Sequence, residues 1–153
     1  MVRKILFVIV VMLGTTCTST NHYAKNDGMT IFRLVNQFRL KHGVPPLQYL
    51  KTRQAEIDRW AIHLETRYQH ASRGYSTENI AINFIGPEEL FRQWKNSPPH
   101  RRNMLLWRLK YCAIGVQVGT YKGIQPAYFG VFRGYDRDFK PKNSKYSSKI
   151  LHP

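Results

Sequence analysis

Three side chains in this chain have the types needed to hold a metal or move a proton: His70, Glu78 and His100. His70 and Glu78 flank one short loop. His100 directly follows two prolines in the stretch Trp94-Lys-Asn-Ser-Pro-Pro-His-Arg-Arg-Asn103. Each proline fixes φ and removes an amide donor, so a His placed after the pair sits on a corner with few conformations. Two imidazoles and a carboxylate are a set that a divalent ion such as zinc accepts, with one coordination position left open. The competing reading is hydrogen-bonded histidines that brace the loop. No His-Glu-x-x-His occurs, so this is not one of the compact helical zinc patterns. Ser97 lies three residues before His100, but the pair lacks a glycine-flanked elbow and an orienting acid. Cys112 stands in an apolar, strand-like run and reads as a small buried hydrophobe. His22, His42, His63 and His152 read as surface or terminal residues.

The elements that would position these residues can be taken in order. Ile31, Leu34, Val35 and Phe38 recur at helical spacing, with Thr30 as N-cap, Gly43 as the stop and Pro45-Pro46 preventing resumption. A second helix begins near Thr52 with Ile57, Trp60, Ala61, Leu64 and Tyr68 on one face, and runs out at 69–74. Glu78 to Ile82 is a brief apolar run of strand type. Gly86-Pro87-Glu88-Glu89 opens a third helix, with proline in the first turn and carboxylates at the positive end of the dipole. Leu90, Phe91 and Trp94 face its core side, and the double proline ends it. A short helical turn is expected over His100–Leu105. Cys112–Thr120 and Ala127–Phe132 alternate as strands about a Lys122-Gly123 turn, which predicts a hairpin. Three apolar helical faces and a small, mainly antiparallel sheet predict an α+β layered sandwich with helices covering the sheet.

The ends read differently. Arg3 and Lys4, the apolar run Ile5–Leu13 and the small residues 14–16 read as an export signal over residues 1–16. The run is shorter than the ~20 residues a membrane span needs. Cys17 follows small residues in a loose lipoprotein box, which favours cleavage before it and lipidation of its thiol. Ordinary cleavage near 18–21 is the competitor. With only Cys17 and Cys112 present, the chain carries no disulfide framework. Residues 17–28 read as a flexible lead, 29–135 as the domain and 136–153 as a basic tail with Lys140, Lys142, Lys145 and Lys149. The net charge is +15, falling by two to +13 without Arg3 and Lys4. That balance predicts attraction to anionic lipid or another polyanionic surface ligand. No nucleic-acid module signature accompanies it.

The order Leu34-Val-Asn-Gln-Phe-Arg-x-x-x-Gly43-x-Pro-Pro-Leu47, His70, Glu78-Asn-Ile-Ala81, Trp94-x-Asn-Ser-Pro-Pro-His100-Arg-x-Asn103 and Ile114-Gly-Val116 resembles the CAP superfamily. That superfamily comprises cysteine-rich secretory, antigen 5 and pathogenesis-related 1 proteins. The closest likeness is to its small bacterial branch of SCP-like domains, over about residues 29 to 135. The resemblance implies a three-layer α-β-α sandwich and a cleft with a His/Glu tetrad that binds divalent metal in some members. His70, Glu78 and His100 match three of the four positions. Ser97 stands where the fourth has a carboxylate, and Glu89 is not at a matching offset. Trp94, Asn79, Ser97 and Asn103 are then expected to shape the cleft, and any metal to be weakly bound.

Three functions follow as expectations. One is a non-catalytic, exported binding module for lipid, sterol, glycan or a host ligand. Another is a metal-dependent hydrolase using His70, His100 and Glu78, with Glu78 as general base. The third is a structural envelope protein. The expected location is a cell-surface or outer-membrane lipoprotein, with secretion as the alternative.

Overall fold

The computed structural model describes residues 20–72 and 74–137, and the side chains of this range from residue 27 onward. The export segment, Cys17, Arg73 and the tail beyond residue 137 lie outside it. The order of elements is α1 (Thr20–Lys41), β1 (Gln48–Tyr49), a 3-10 turn (Lys51–Arg53), α2 (Gln54–Thr66), β2 (Thr77–Asn83), α3 (Pro87–Asn96), α4 (Pro98–Met104), β3 (Tyr111–Tyr121) and β4 (Ile124–Tyr135).

The strands form one sheet in the order β1-β3-β4-β2. β3 and β4 are the predicted hairpin, extended at both ends, and β2 pairs antiparallel with β4 along its whole length. β1 is a two-residue parallel edge that the apolar pattern was too short to announce. Lys122 and Gly123 both take positive φ at the hairpin turn, the primed geometry whose twist matches the flanking strands.

Because successive strand residues face opposite ways, the sheet feeds two cores. Cys112, Ile114, Val116, Phe132 and Ala81 pack under α1, α3 and α4 with Ile31, Val35, Phe38, Leu90, Trp94 and Met104. Ala113, Phe129, Val131, Tyr135 and Ile80 pack under α2 with Ile57, Ala61 and Leu64. The architecture is the α-β-α sandwich expected. Cys112 is a free thiol at the centre of the first core, and burial pushes its pKa up.

Three sequence readings are corrected. Thr30 is no N-cap: α1 starts at Thr20, so part of the stretch taken as a flexible lead is helix. Gly28 does not interrupt it, because there the helix lies close on β3. A Cβ at that position would stand 2.9 Å from the Ile114 carbonyl oxygen. Tyr68 lies beyond α2, which ends at Thr66. The double proline ends α3 and also opens α4, where its fixed φ suits the first helical turn.

Candidate functional site

β2 lies at the edge of the sheet, and its consecutive residues Glu78 and Asn79 face different layers because strand side chains alternate. Asn79 turns toward α4. Its Nδ2 donates to the His100 carbonyl oxygen (2.9 Å), and its Oδ1 accepts from Asn103 Nδ2 (2.9 Å). Asn103 also donates to the Glu78 carbonyl oxygen at 3.3 Å. These amides fix α4, and with it the double-proline corner, against the edge strand. Trp94, the last buried residue of α3 before that corner, packs in the first core. Ser97 occupies the N-cap position of α4 without a side-chain cap bond.

Glu78 turns toward α2, and its carboxylate is 1% exposed. Oε1 accepts from His70 Nδ1 (2.8 Å) and from the Ala71 amide (3.0 Å), while Oε2 accepts from Arg133 Nε (2.7 Å). Arg133 is itself 2% exposed and extends the pairing to Glu56 through Nη1 at 3.0 Å; Glu56 in turn binds Arg53 at 2.7 Å. The Arg133 guanidinium lies over the Trp60 ring at 5.2 Å and the Tyr75 ring at 5.1 Å, and Tyr75 donates to the Ala71 carbonyl. The residue that dominates this site was therefore missed from sequence. The available signal was strand parity: Arg133 alternates with Val131 and Tyr135, both buried on the α2 side.

His70 is 55% exposed and oriented by Glu78 through Nδ1, which directs its other ring nitrogen away from the carboxylate. His100 comes into its electrostatic reach: burial first, then the charge of His70, hold the His100 pKa below its ordinary range. His70 lies on the α2 side of β2, through Glu78, and His100 on the α4 side, through Asn79. Glu78 serves His70 as an orienting partner, with Oε1 accepting two hydrogen bonds and Oε2 paired to the Arg133 cation. Among the described residues, no group of three His, Cys, Asp or Glu side chains could hold a metal ion. The donors present do not fit the three-ligand centre expected from sequence. Glu89 is instead paired with Arg92, within α3.

The lowered His100 pKa has a consequence for stability. As pH falls through about 6.5, the unfolded chain protonates this imidazole while the folded chain does not yet do so. The unfolded state then binds more protons, so stability declines as pH drops. The urea midpoint of the parent is expected to fall between about pH 7 and pH 5, and that of His100→Gln to fall less. Identical slopes would exclude His100 as the source.

An α-β-α sandwich in which a His/Glu pair and a second His meet beside a proline-fixed helix start defines a CAP-type domain. The chain belongs to that family: the family model described as CAP, cysteine-rich secretory protein family, matches residues 32–132. Solved structures share the fold. An extracellular SCP-domain protein from Bacillus anthracis superposes with TM-score 0.51 at 17% identity, over 72% of this chain and 41% of that one. A cysteine-rich secretory protein from Staphylococcus aureus gives 0.50 at 18%, over 72% and 38%. An outer surface protein from Borrelia burgdorferi gives 0.54 at 16%, over 74% and 95%. The chain thus spans less than half the length of the first two and nearly all of the third. No curated protein sequence matches it.

A second concave feature lies away from the histidines. A cavity of about 300 Å³ opens between α1 and α3, lined by Leu34, Gln37, Phe38, Lys41, His42, Phe91 and Lys95. Phe38 and Phe91 meet edge-to-face at 5.9 Å, and the His42 ring lies 4.3 Å from that of Phe38. His42, assigned no role from sequence, is thus part of an aromatic wall with two exposed lysines at its rim.

Proposed function

We propose that this chain is an exported, non-catalytic binding module for an anionic amphiphile such as a fatty acid or acidic lipid. The observation that carries this reading is the groove between α1 and α3. Its apolar wall of Leu34, Phe38 and Phe91 would take an acyl chain, and Lys41 and Lys95 supply cations for the head. Pockets of this kind use apolar surface for affinity and a few polar groups for orientation. Export is supported by the N-terminal signal pattern and by structural relatives that are extracellular and outer surface proteins. In this reading Cys17 carries a lipid that keeps the domain at a membrane surface.

The hydrolase alternative is weaker, because its general base would have to be Glu78. That carboxylate is already committed to Arg133, His70 and the Ala71 amide. The His–Glu–Arg array reads as a brace.

Titration with a fluorescent fatty acid tests the groove. Saturable binding is expected, weakened about tenfold or more in Lys41→Glu/Lys95→Glu, since each cation near an anionic head contributes about 1 kcal/mol. Equal affinity for the uncharged methyl ester, or no saturation, would overturn the reading.

A further inference from the structure

The segment joining α4 to β3, residues 105–110, has one unusual exposure. Trp107 is 80% exposed, while Leu109 two residues on is buried. The segment is held from beneath. Arg39 Nη1 donates to the carbonyls of Met104 (2.6 Å) and Leu106 (3.1 Å), and Nη2 donates to that of Leu109 (3.4 Å). The indole is thus displayed from a backbone tied at three points. Its neighbours are uniformly cationic: Arg101, Arg102, Arg108 and Lys110 are all exposed, and none is ion-paired to a described carboxylate. No Asp or Glu occurs anywhere from residue 90 to residue 135.

We propose that α4 and this loop form a docking face for an anionic lipid bilayer. Trp107 would seat at the boundary between headgroups and acyl chains, the depth its amphipathic ring prefers. Arg101, Arg102, Arg108 and Lys110 would contact the anionic headgroups, as basic side chains beside an apolar anchor do at membrane surfaces. The charged side chains of α4 and the loop are all cationic, which together with an exposed indole suits a surface of uniform negative charge such as an anionic bilayer. Arg39 also places the loop at the C-terminal end of α1, where Lys41 and His42 line the groove. Docking would therefore bring the groove toward the bilayer, the source of its amphiphile.

The test uses the full chain and phosphatidylcholine vesicles containing brominated phosphatidylglycerol. Trp94 is buried and Trp60 half-buried, so quenching by bromine reports chiefly on Trp107. Tryptophan emission of the parent is expected to shift to the blue and be quenched, and both responses to vanish in Trp107→Ala. Arg101→Ser/Arg102→Ser should weaken the quenching titration about tenfold, and phosphatidylcholine alone should give no quenching. Co-sedimentation with vesicles without quenching, as attachment through another segment would give, overturns the proposal. So does equal quenching on neutral vesicles. A spectral response to polyglutamate without one to vesicles would assign the face to an acidic protein instead. Fatty-acid titration of Trp107→Ala separates the two readings: unchanged groove affinity is expected, so either can fail alone.

Discussion

Arg39→Ala is expected to cost about 3–5 kcal/mol of folding stability, enough to leave much of a domain of ordinary stability unfolded. Arg39 is fully buried and, among the described residues, is ion-paired to no carboxylate. Its guanidinium donates only to main-chain carbonyls, those of Pro45 at 2.8 Å and of Met104, Leu106 and Leu109. Burial lowers its pKa, yet an arginine stays charged in proteins. Removing the side chain relieves that buried charge. The same change deprives four carbonyls of a donor, at about 1–3 kcal/mol for each one left buried and dry, and opens a cavity between α1 and the loop. The losses outweigh the relief. Arg39→Lys should recover only part, because an ammonium cannot span carbonyls set around a planar fork. Urea unfolding measures both, and a loss below about 1 kcal/mol for Arg39→Ala would mean that water replaces the clamp.

Glu78→Gln should be nearly as damaging, at about 3–5 kcal/mol, although it removes only a charge. The amide keeps the shape but leaves the Arg133 guanidinium buried with Glu56, itself shared with Arg53, as its remaining counterion. The penalty is that of a buried charge left only partly compensated, not the net worth of the ion pair. Replacing both partners by apolar residues, Glu78→Leu/Arg133→Met, should therefore be less destabilising than Glu78→Gln alone. A double-mutant cycle followed by thermal unfolding decides it. Additive losses would show that the two side chains act separately.

The layer order and the hairpin were legible in the sequence because each rests on local patterning: apolar spacing in the helices, alternation in the strands. The start of α1 was not. Gly28 looks like a boundary until the nearness of the Ile114 carbonyl, a tertiary fact, is known. His70 and Glu78 were readable as partners because one short loop joins them. The link to α4 was less legible: strand alternation sends Glu78 to the α2 side, and the residue of β2 that bonds the His100 carbonyl is Asn79. Arg39 and Arg133 were hidden for a shared reason. A charged residue inside an apolar pattern shows that it is buried but not what satisfies it. For Arg39 the answer is carbonyls 65 to 70 residues downstream, which no side-chain pattern records.

The strand order carries one more consequence, about when the fold can form. Among the described residues, β2 is hydrogen-bonded only to β4, and β4 is the last strand. β1 waits likewise for β3, and Arg39 waits for the loop before it. The N-terminal helices close their own backbone hydrogen bonds, but β1 and β2 have no strand partner until β3 and β4 exist. A nascent chain stopped before residue 124 lacks β4, the strand that joins β2 to β3 in the sheet. Assembly must therefore begin with the local β3–β4 pairing and recruit β2, β1 and α1 afterward. Such an order favours an all-or-none transition over a stable half-domain.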